Sequence, residues 1–218
     1  AQAAATVAQA TGGHLDALVN NAGIVAAGPL EFLPIGRLRE QLEVNVIGQV
    51  AVTQAMAGLL RAARGRIVFM GSISGRFASP IIAPYAISKF ALEALADSLR
   101  VEMAPHGVQV SIIEPGAVAT PIWDKSRGAA SSCAQDYPPH ARELYGEMSD
   151  AFERLALKAA ARAVAPAAVG RAVLHALLSP RPRTRYLVGT DAKLRAALFC
   201  WLPDRWRDAL LMKALGLK

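Results

Sequence analysis

Apolar positions along this 218-residue chain follow two alternating rhythms. Short apolar runs rich in Val and Ile, bounded by Gly, Pro or polar residues, predict strands over 15–20, 66–71, 108–114 and 185–188. Between them, apolar residues recur every three or four positions and predict helices. A long one covers 32–60, broken near Gly48, and a second covers 84–104, stopping before Pro105 and Gly107. Others cover 140–162 and 167–178, the latter with Pro166 near its start. A final helical pair over 191–215 is split at Pro203-Asp204, which places Asp204 near the second helix's N-terminus. Strands alternating with helices pair in parallel through right-handed crossovers, with helices on both sheet faces. The expected class is α/β: a doubly wound parallel sheet in three αβα layers, within one domain spanning 1–218.

Composition agrees. Apolar residues make up 53% and charged residues 19%, which suits a sheet buried on both faces better than a disordered chain. The formal charge of +7 invites a nucleic-acid reading. Its Lys and Arg are scattered, however, and no aromatic-rich basic motif accompanies them, so no nucleic-acid partner is expected. Arg181, Arg183 and Arg185 read as a solvated turn before a strand. Cys133 and Cys200 are too few for a disulfide framework or metal cluster. His14, His106, His140 and His175 show no ligand spacing, so they read as surface or cap residues and no metal is expected. No uncharged apolar run reaches the eighteen or so residues of a membrane span, and no signal peptide is visible. A cytoplasmic location is the expectation, or a peripheral one at a membrane.

The chemistry concentrates at Tyr85 and Lys89, with Ser72 thirteen residues upstream. Four residues apart on a helix, phenol and ammonium share one face. A nearby ammonium favours the phenolate, lowering a pKa of about 10 in the free side chain. Bringing it near neutrality takes roughly three units, about 4 kcal/mol, so a cationic cofactor beside the pair is expected to supply what one ammonium does not. Such a pair also arises as a tyrosine packed under a helix with a solvated lysine one turn on. Its surroundings decide between the two. Leu18-Val19-Asn20-Asn21-Ala22-Gly23 ends an apolar run in paired amides and small residues. Asn45-Val46-Ile47-Gly48 lies inside a helical pattern. Arg66 to Gly75 reads as a buried strand ending in Gly71-Ser72-Ile73-Ser74-Gly75, and Ser111 to Thr120 as a strand stopped by Pro115-Gly116.

These segments, in this order, resemble the short-chain dehydrogenase/reductase family over nearly the whole chain. The resemblance implies a Rossmann-like sheet and NAD or NADP as cofactor. It implies that Tyr85 is the general acid/base, that Lys89 lowers the phenol pKa and holds the nicotinamide ribose, and that Ser72 holds the substrate oxygen. Ser74 does not match the family's spacing to the tyrosine. Asn45 is implied to hold a proton-relay water; bracing a helix kink is its alternative. Asn21, Ala22 and Gly23 are implied to approach the adenosine ribose. Pro115, Gly116, Val118 and Thr120 would contact the nicotinamide, or else simply pack a loop. The family's first strands and glycine-rich pyrophosphate turn find no match here, as though roughly 60–75 residues, about two βα units, were missing. That predicts an exposed edge at 15–20 and weak cofactor binding and inactivity for the 218 residues alone.

Residues 121–165 read as a substrate lid, with Trp123, Tyr137, Leu144, Tyr145, Met148, Phe152 and Leu155 either lining an apolar pocket or packing the lid down. The extension over 191–218 mixes Leu, Phe199, Trp201 and Trp206 with Arg195, Arg205, Arg207 and Lys213. It reads as a tail covering the pocket or a subunit contact, or as a basic amphipathic pair lying on an anionic membrane. With Gly28-Pro29-Leu30 and Arg185 to Gly189, it is similar to family members acting on retinoids, steroids or other lipophilic alcohols. The expected function is therefore interconversion of a hydrophobic secondary alcohol and its ketone. The alternatives are a 3-oxoacyl reductase of lipid synthesis and a non-catalytic binding or assembly module. A homo-oligomer pairing through 32–60 and 84–104 is expected.

Overall fold

Four parallel strands carry the most apolar runs and lie side by side in chain order: β1 (Ala17–Asn20), β2 (Arg66–Met70), β3 (Gln109–Pro115) and β4 (Arg185–Val188). The structure, a computed structural model, describes residues 2–122, 137–199 and 201–217. Alternation along β2 divides the core. Ile67 and Phe69 join Val110 and Ile112 of β3 against Leu60 of α3 (Gly48–Ala63) and Leu92 and Ala96 of α4 (Ala83–Met103). Val68 and Ile113 point the other way, with Tyr186 and Val188, under Ala176 of the helix Pro166–Leu178. Both faces are covered, which explains strands that read as continuous apolar runs rather than alternating ones. This is the expected Rossmann-like three-layer α/β fold.

The N-terminal helix α1 (Gln2–Thr11) packs Ala4 and Val7 on the first cluster. Among the described residues β1 pairs only with β2, and Val19 is exposed. The strand starts two residues later than expected because the Leu15 amide donates to the Leu59 carbonyl at the end of α3 (3.2 Å) rather than to a strand.

The long helix differs from its expected form. It begins at α2 (Ile35–Leu42), since Phe32 and Leu33 donate to the Pro29 carbonyl in a preceding turn. It then runs through one π turn (Glu43–Ile47) into α3. Gly48 is no break: its amide donates to the Glu43 carbonyl, which a Cβ would approach to 3.2 Å. The combined helix Ile35–Ala63 is long and apolar enough to cross a membrane (mean hydropathy 1.3), but Gln41, Asn45, Gln49 and Thr53 are buried along it.

The helix α5 (His140–Ala160) and then α6 (Pro166–Leu178) lead to β4. After β4, α7 (Thr190–Phe199) and α8 (Asp204–Leu215) form the expected split pair. Ala192, Ala196, Phe199 and Leu211 pack on Ile73 and Phe77, so one face of the pair covers the turn beyond Ser72.

Arg185 corrects the expected solvated turn. It lies in β4 and pairs with Glu93 and Asp97 of α4 and Glu114 of β3, while Arg76 takes the other Glu114 oxygen (3.0 Å). Glu114 is fully buried, and a strand position facing three carboxylates recruits a guanidinium rather than water.

Candidate active site

Because the strands are parallel, their carboxyl ends share one edge of the sheet, where such sheets place ligands. Asn21, Ala22 and Gly23 follow β1 there, Ser72 follows β2, and Gly116 to Thr120 follow β3. The first two turns of α4 bring Tyr85 and Lys89 to the same edge. The chain thus gathers Ser72, Tyr85 and Lys89 from separate segments.

Ser72 is buried, and its Oγ accepts the Ser74 amide (3.1 Å), which closes the short turn Ile73–Gly75. That oxygen also hydrogen-bonds the Tyr85 phenol. Lys89 is buried under the tyrosine, its Nζ 5.5 Å from the ring centroid, and donates to the Met70 carbonyl at the end of β2 (2.7 Å). An ammonium has three N–H groups and Met70 takes one. The others suit a hydroxyl-bearing ligand such as a ribose diol. On that count the β2 side of the edge fits a dinucleotide.

The electrostatics correct one expectation. Burial lowers the Lys89 pKa to about 8, with Glu93 one turn on pulling it upward. Tyr85 is not drawn down by its neighbour. Burial raises the phenol above its ordinary value, against the Ser72 hydrogen bond that lowers it. The ammonium lies over the ring, 5.5 Å from its centroid, and desolvation of the buried phenol outweighs the Ser72 bond. Glu93 is raised to about 7 by its own burial first and by Glu114 second.

A polar stripe supports the pair, and of its members only Asn45 was singled out from sequence. Asn45 Oδ1 accepts the Ile24 amide (2.8 Å), while Nδ2 donates to the Ile24 carbonyl (3.0 Å) and Ser88 Oγ (3.0 Å). Ser88 donates to the Tyr85 carbonyl (2.7 Å). One turn before, Gln41 holds Ala26 and Ile24; one turn after, Gln49 donates to the Ala22 carbonyl (3.0 Å), and a further turn on Thr53 accepts from Asn20 (2.9 Å). The four hold the end of β1 and the loop after it, and Asn45 and Gln41 tie that loop to Ser88 of the helix carrying Tyr85. Their signal was visible: four polar residues at four-residue spacing on an apolar helix. In an α-helix each such step overshoots a turn by about 40°, and the wider π turn offsets that drift. Gln49 Oε1 is buried beneath Ala22 with no hydrogen-bond partner among the described residues.

Asn21, Ala22 and Gly23 are exposed, and Gly23 rests against the Asn45 amide. Pro115, Gly116, Val118 and Thr120 are half-buried. Gly116 has a second, unforeseen reason to be glycine: a Cβ there would collide with the Asp191 carboxylate, which accepts the Ala117 amide (3.0 Å). Val118 bridges to Val164. Of the expected lid residues, Tyr137 and Tyr145 pack around Phe32, and Tyr145 donates to Glu31 (2.7 Å). Leu144 is exposed, Met148, Phe152 and Leu155 are half-buried, and Trp123 lies outside the described residues. Ile81, just before α4, is held at φ 70°, a strained value for a β-branched residue, and its carbonyl accepts the Gly28 amide (2.7 Å). No cluster of metal-ligating residues occurs among the described residues.

Residues 1–130 match the family described as short chain dehydrogenase. Retinol dehydrogenase 5 of Mus musculus is 40% identical over 200 residues, covering 89% of this chain and 63% of that protein. The NADPH-dependent 3-dehydrocapnine reductase of Ornithobacterium rhinotracheale is 33% identical over 206 residues, 92% of this chain and 70% of that protein. A crystal structure of a short-chain dehydrogenase from Streptomyces avermitilis superposes with a TM-score of 0.72 at 28% identity, covering 99% of this chain and 74% of that one. The chain therefore spans between 63% and 70% of the length of these two curated relatives.

Proposed function

The chain belongs to the short-chain dehydrogenase family, and from that premise we propose that the whole protein is an NAD(P)-dependent oxidoreductase interconverting a lipophilic secondary alcohol and its ketone. The observation that carries this reading is the convergence of Ser72, Tyr85 and Lys89, with Ser72 bonded to the phenol and the ammonium buried beneath it. When bound, the nicotinamide supplies the hydride acceptor or donor and, in its oxidised form, a positive charge.

The remaining chemistry is assigned to this chain's own groups. Ser72 Oγ holds the substrate oxygen beside the phenol. In reduction Tyr85 gives its proton to that oxygen; in oxidation it takes the proton back. A phenol held above its ordinary pKa is protonated at neutral pH, the form that donates. Abstraction needs added positive charge close by, and Lys89 is placed to orient the ribose with its remaining N–H groups. Asn45, Gln41 and Gln49 hold the loop on which Asn21, Ala22 and Gly23 face the adenosine side. Asn45 acts on Tyr85 through Ser88, as a brace.

Two features support a lipophilic substrate: the aromatic cluster of Phe32 with Tyr137, His140 and Tyr145 on the lid side, and 40% identity to a retinol dehydrogenase. The test is a substrate panel run with the whole protein and both nicotinamide cofactors. Turnover of retinoid or steroid alcohols and ketones is expected. Turnover confined to 3-oxoacyl thioesters would replace the substrate class, and no turnover of any member would favour a binding module.

A further inference from the structure

We propose that the outer face of α7 and α8 docks on an anionic lipid surface. The two helices are apolar on both sides. Ala192, Ala196 and Phe199 face inward, with Phe199 stacked on Phe77 at 4.8 Å. Facing outward, Leu194, Ala197 and Leu198 form a stripe that continues to Trp201 in the connection. In α8 the stripe resumes at helical spacing with Trp206, Ala209 and Leu210. Trp201 is 88% exposed and Trp206 67%. Two indoles left in water beside exposed leucines on both helices mark a surface built for a partner.

Charge identifies the partner. Exposed Lys193, Arg205 and Lys213 flank the strip, and over these helices they join Arg195 and Arg207 against Asp191, Asp204 and Asp208. Asp191 is half-buried and accepts the Ala117 amide, and Asp204 and Arg207 pair with each other, which leaves exposed Lys193, Arg205 and Lys213 against Asp208. Tryptophans ringed by Lys and Arg suit the headgroup level of a bilayer carrying negative lipids. A second copy suits the face poorly. Two-fold pairing would press Lys193, Arg205 and Lys213 toward their own equivalents. Docked this way, one helix separates the lipid from Phe77 and the Ser72 turn. The inference does not depend on the reaction proposed above.

The test is co-sedimentation with extruded vesicles of phosphatidylglycerol and phosphatidylcholine, and with phosphatidylcholine alone. Binding to the anionic vesicles is expected, weakened by salt. The double variant Trp201→Ala, Trp206→Ala should bind at least about tenfold more weakly. The triple variant Lys193→Glu, Arg205→Glu, Lys213→Glu should lose the preference for anionic vesicles. All five positions are exposed, so unchanged melting curves are expected and serve as the folding control. Absence of binding, or binding that neither variant reduces, would overturn the inference. So would a double variant whose only change is conversion of a dimer to a monomer in sedimentation velocity.

Discussion

Lys89 holds a buried ammonium on one carbonyl, with a carboxylate one turn away, and its charge therefore weighs against folding. With its pKa lowered to about 8 from 10.5, the charge costs roughly 3 kcal/mol below pH 8. Between pH 8 and 10.5 the folded protein sheds its proton before the unfolded chain does, so that cost is relieved as pH rises. Lys89→Met should thus be more stable than the parent at pH 7, and the difference should vanish by about pH 10. Urea unfolding at both pH values checks this. Equal stability of parent and variant at pH 7 would show the ammonium is not desolvated. Much of this scale was legible. The Tyr85 and Lys89 spacing, the position of Ser72 and the Asn-Asn-Ala-Gly turn all stand in the sequence. The direction of the Tyr85 shift did not, because it depends on how completely the folded chain buries the phenol.

The stripe from Gln41 to Thr53 shows what one element contributes to a site it barely touches. Asn45 spends its carbonyl oxygen and both amide hydrogens on Ile24 and Ser88. Removing that amide leaves buried partners unsatisfied, at about 1–3 kcal/mol each where water cannot enter. Asn45→Ala should destabilise by roughly 3 kcal/mol, whereas Val52→Ala on the exposed side of α3 should stay within about 0.5 kcal/mol. Denaturant midpoints of the two variants provide the comparison. Strands and helices were readable because burial on both sheet faces forces continuous apolar runs, and helix periodicity is local. The π turn was not. It accompanies four side chains finding partners in the end of β1 and the loop after it, whereas local propensity favours an unbroken α-helix or a break at Gly48.

Across the molecule, Arg185 ties β4 to β3 and α4, and Glu114 extends the tie to Arg76. Truncating Arg185 leaves fully buried Glu114 half-paired and Glu93 without its cation. The expected loss is about 3–5 kcal/mol for Arg185→Ala. Arg100→Ala, at a half-exposed pair with Asp97, should cost at most about 1 kcal/mol. Thermal melts distinguish them, and equal effects would mean the cluster is solvated. Sequence could not reveal this cluster, since its members lie far apart in the chain. An arginine beside two others in a polar stretch reads as solvent-facing until the strand register is known.

The central claim is that the Tyr85 hydroxyl carries the proton between chain and substrate oxygen. The most direct measurement is kcat/KM of the whole protein with Tyr85→Phe, using its best alcohol or ketone and saturating cofactor. The account predicts a loss of about 10² to 10⁴ with an unchanged melting curve. Turnover at the parent rate would contradict it.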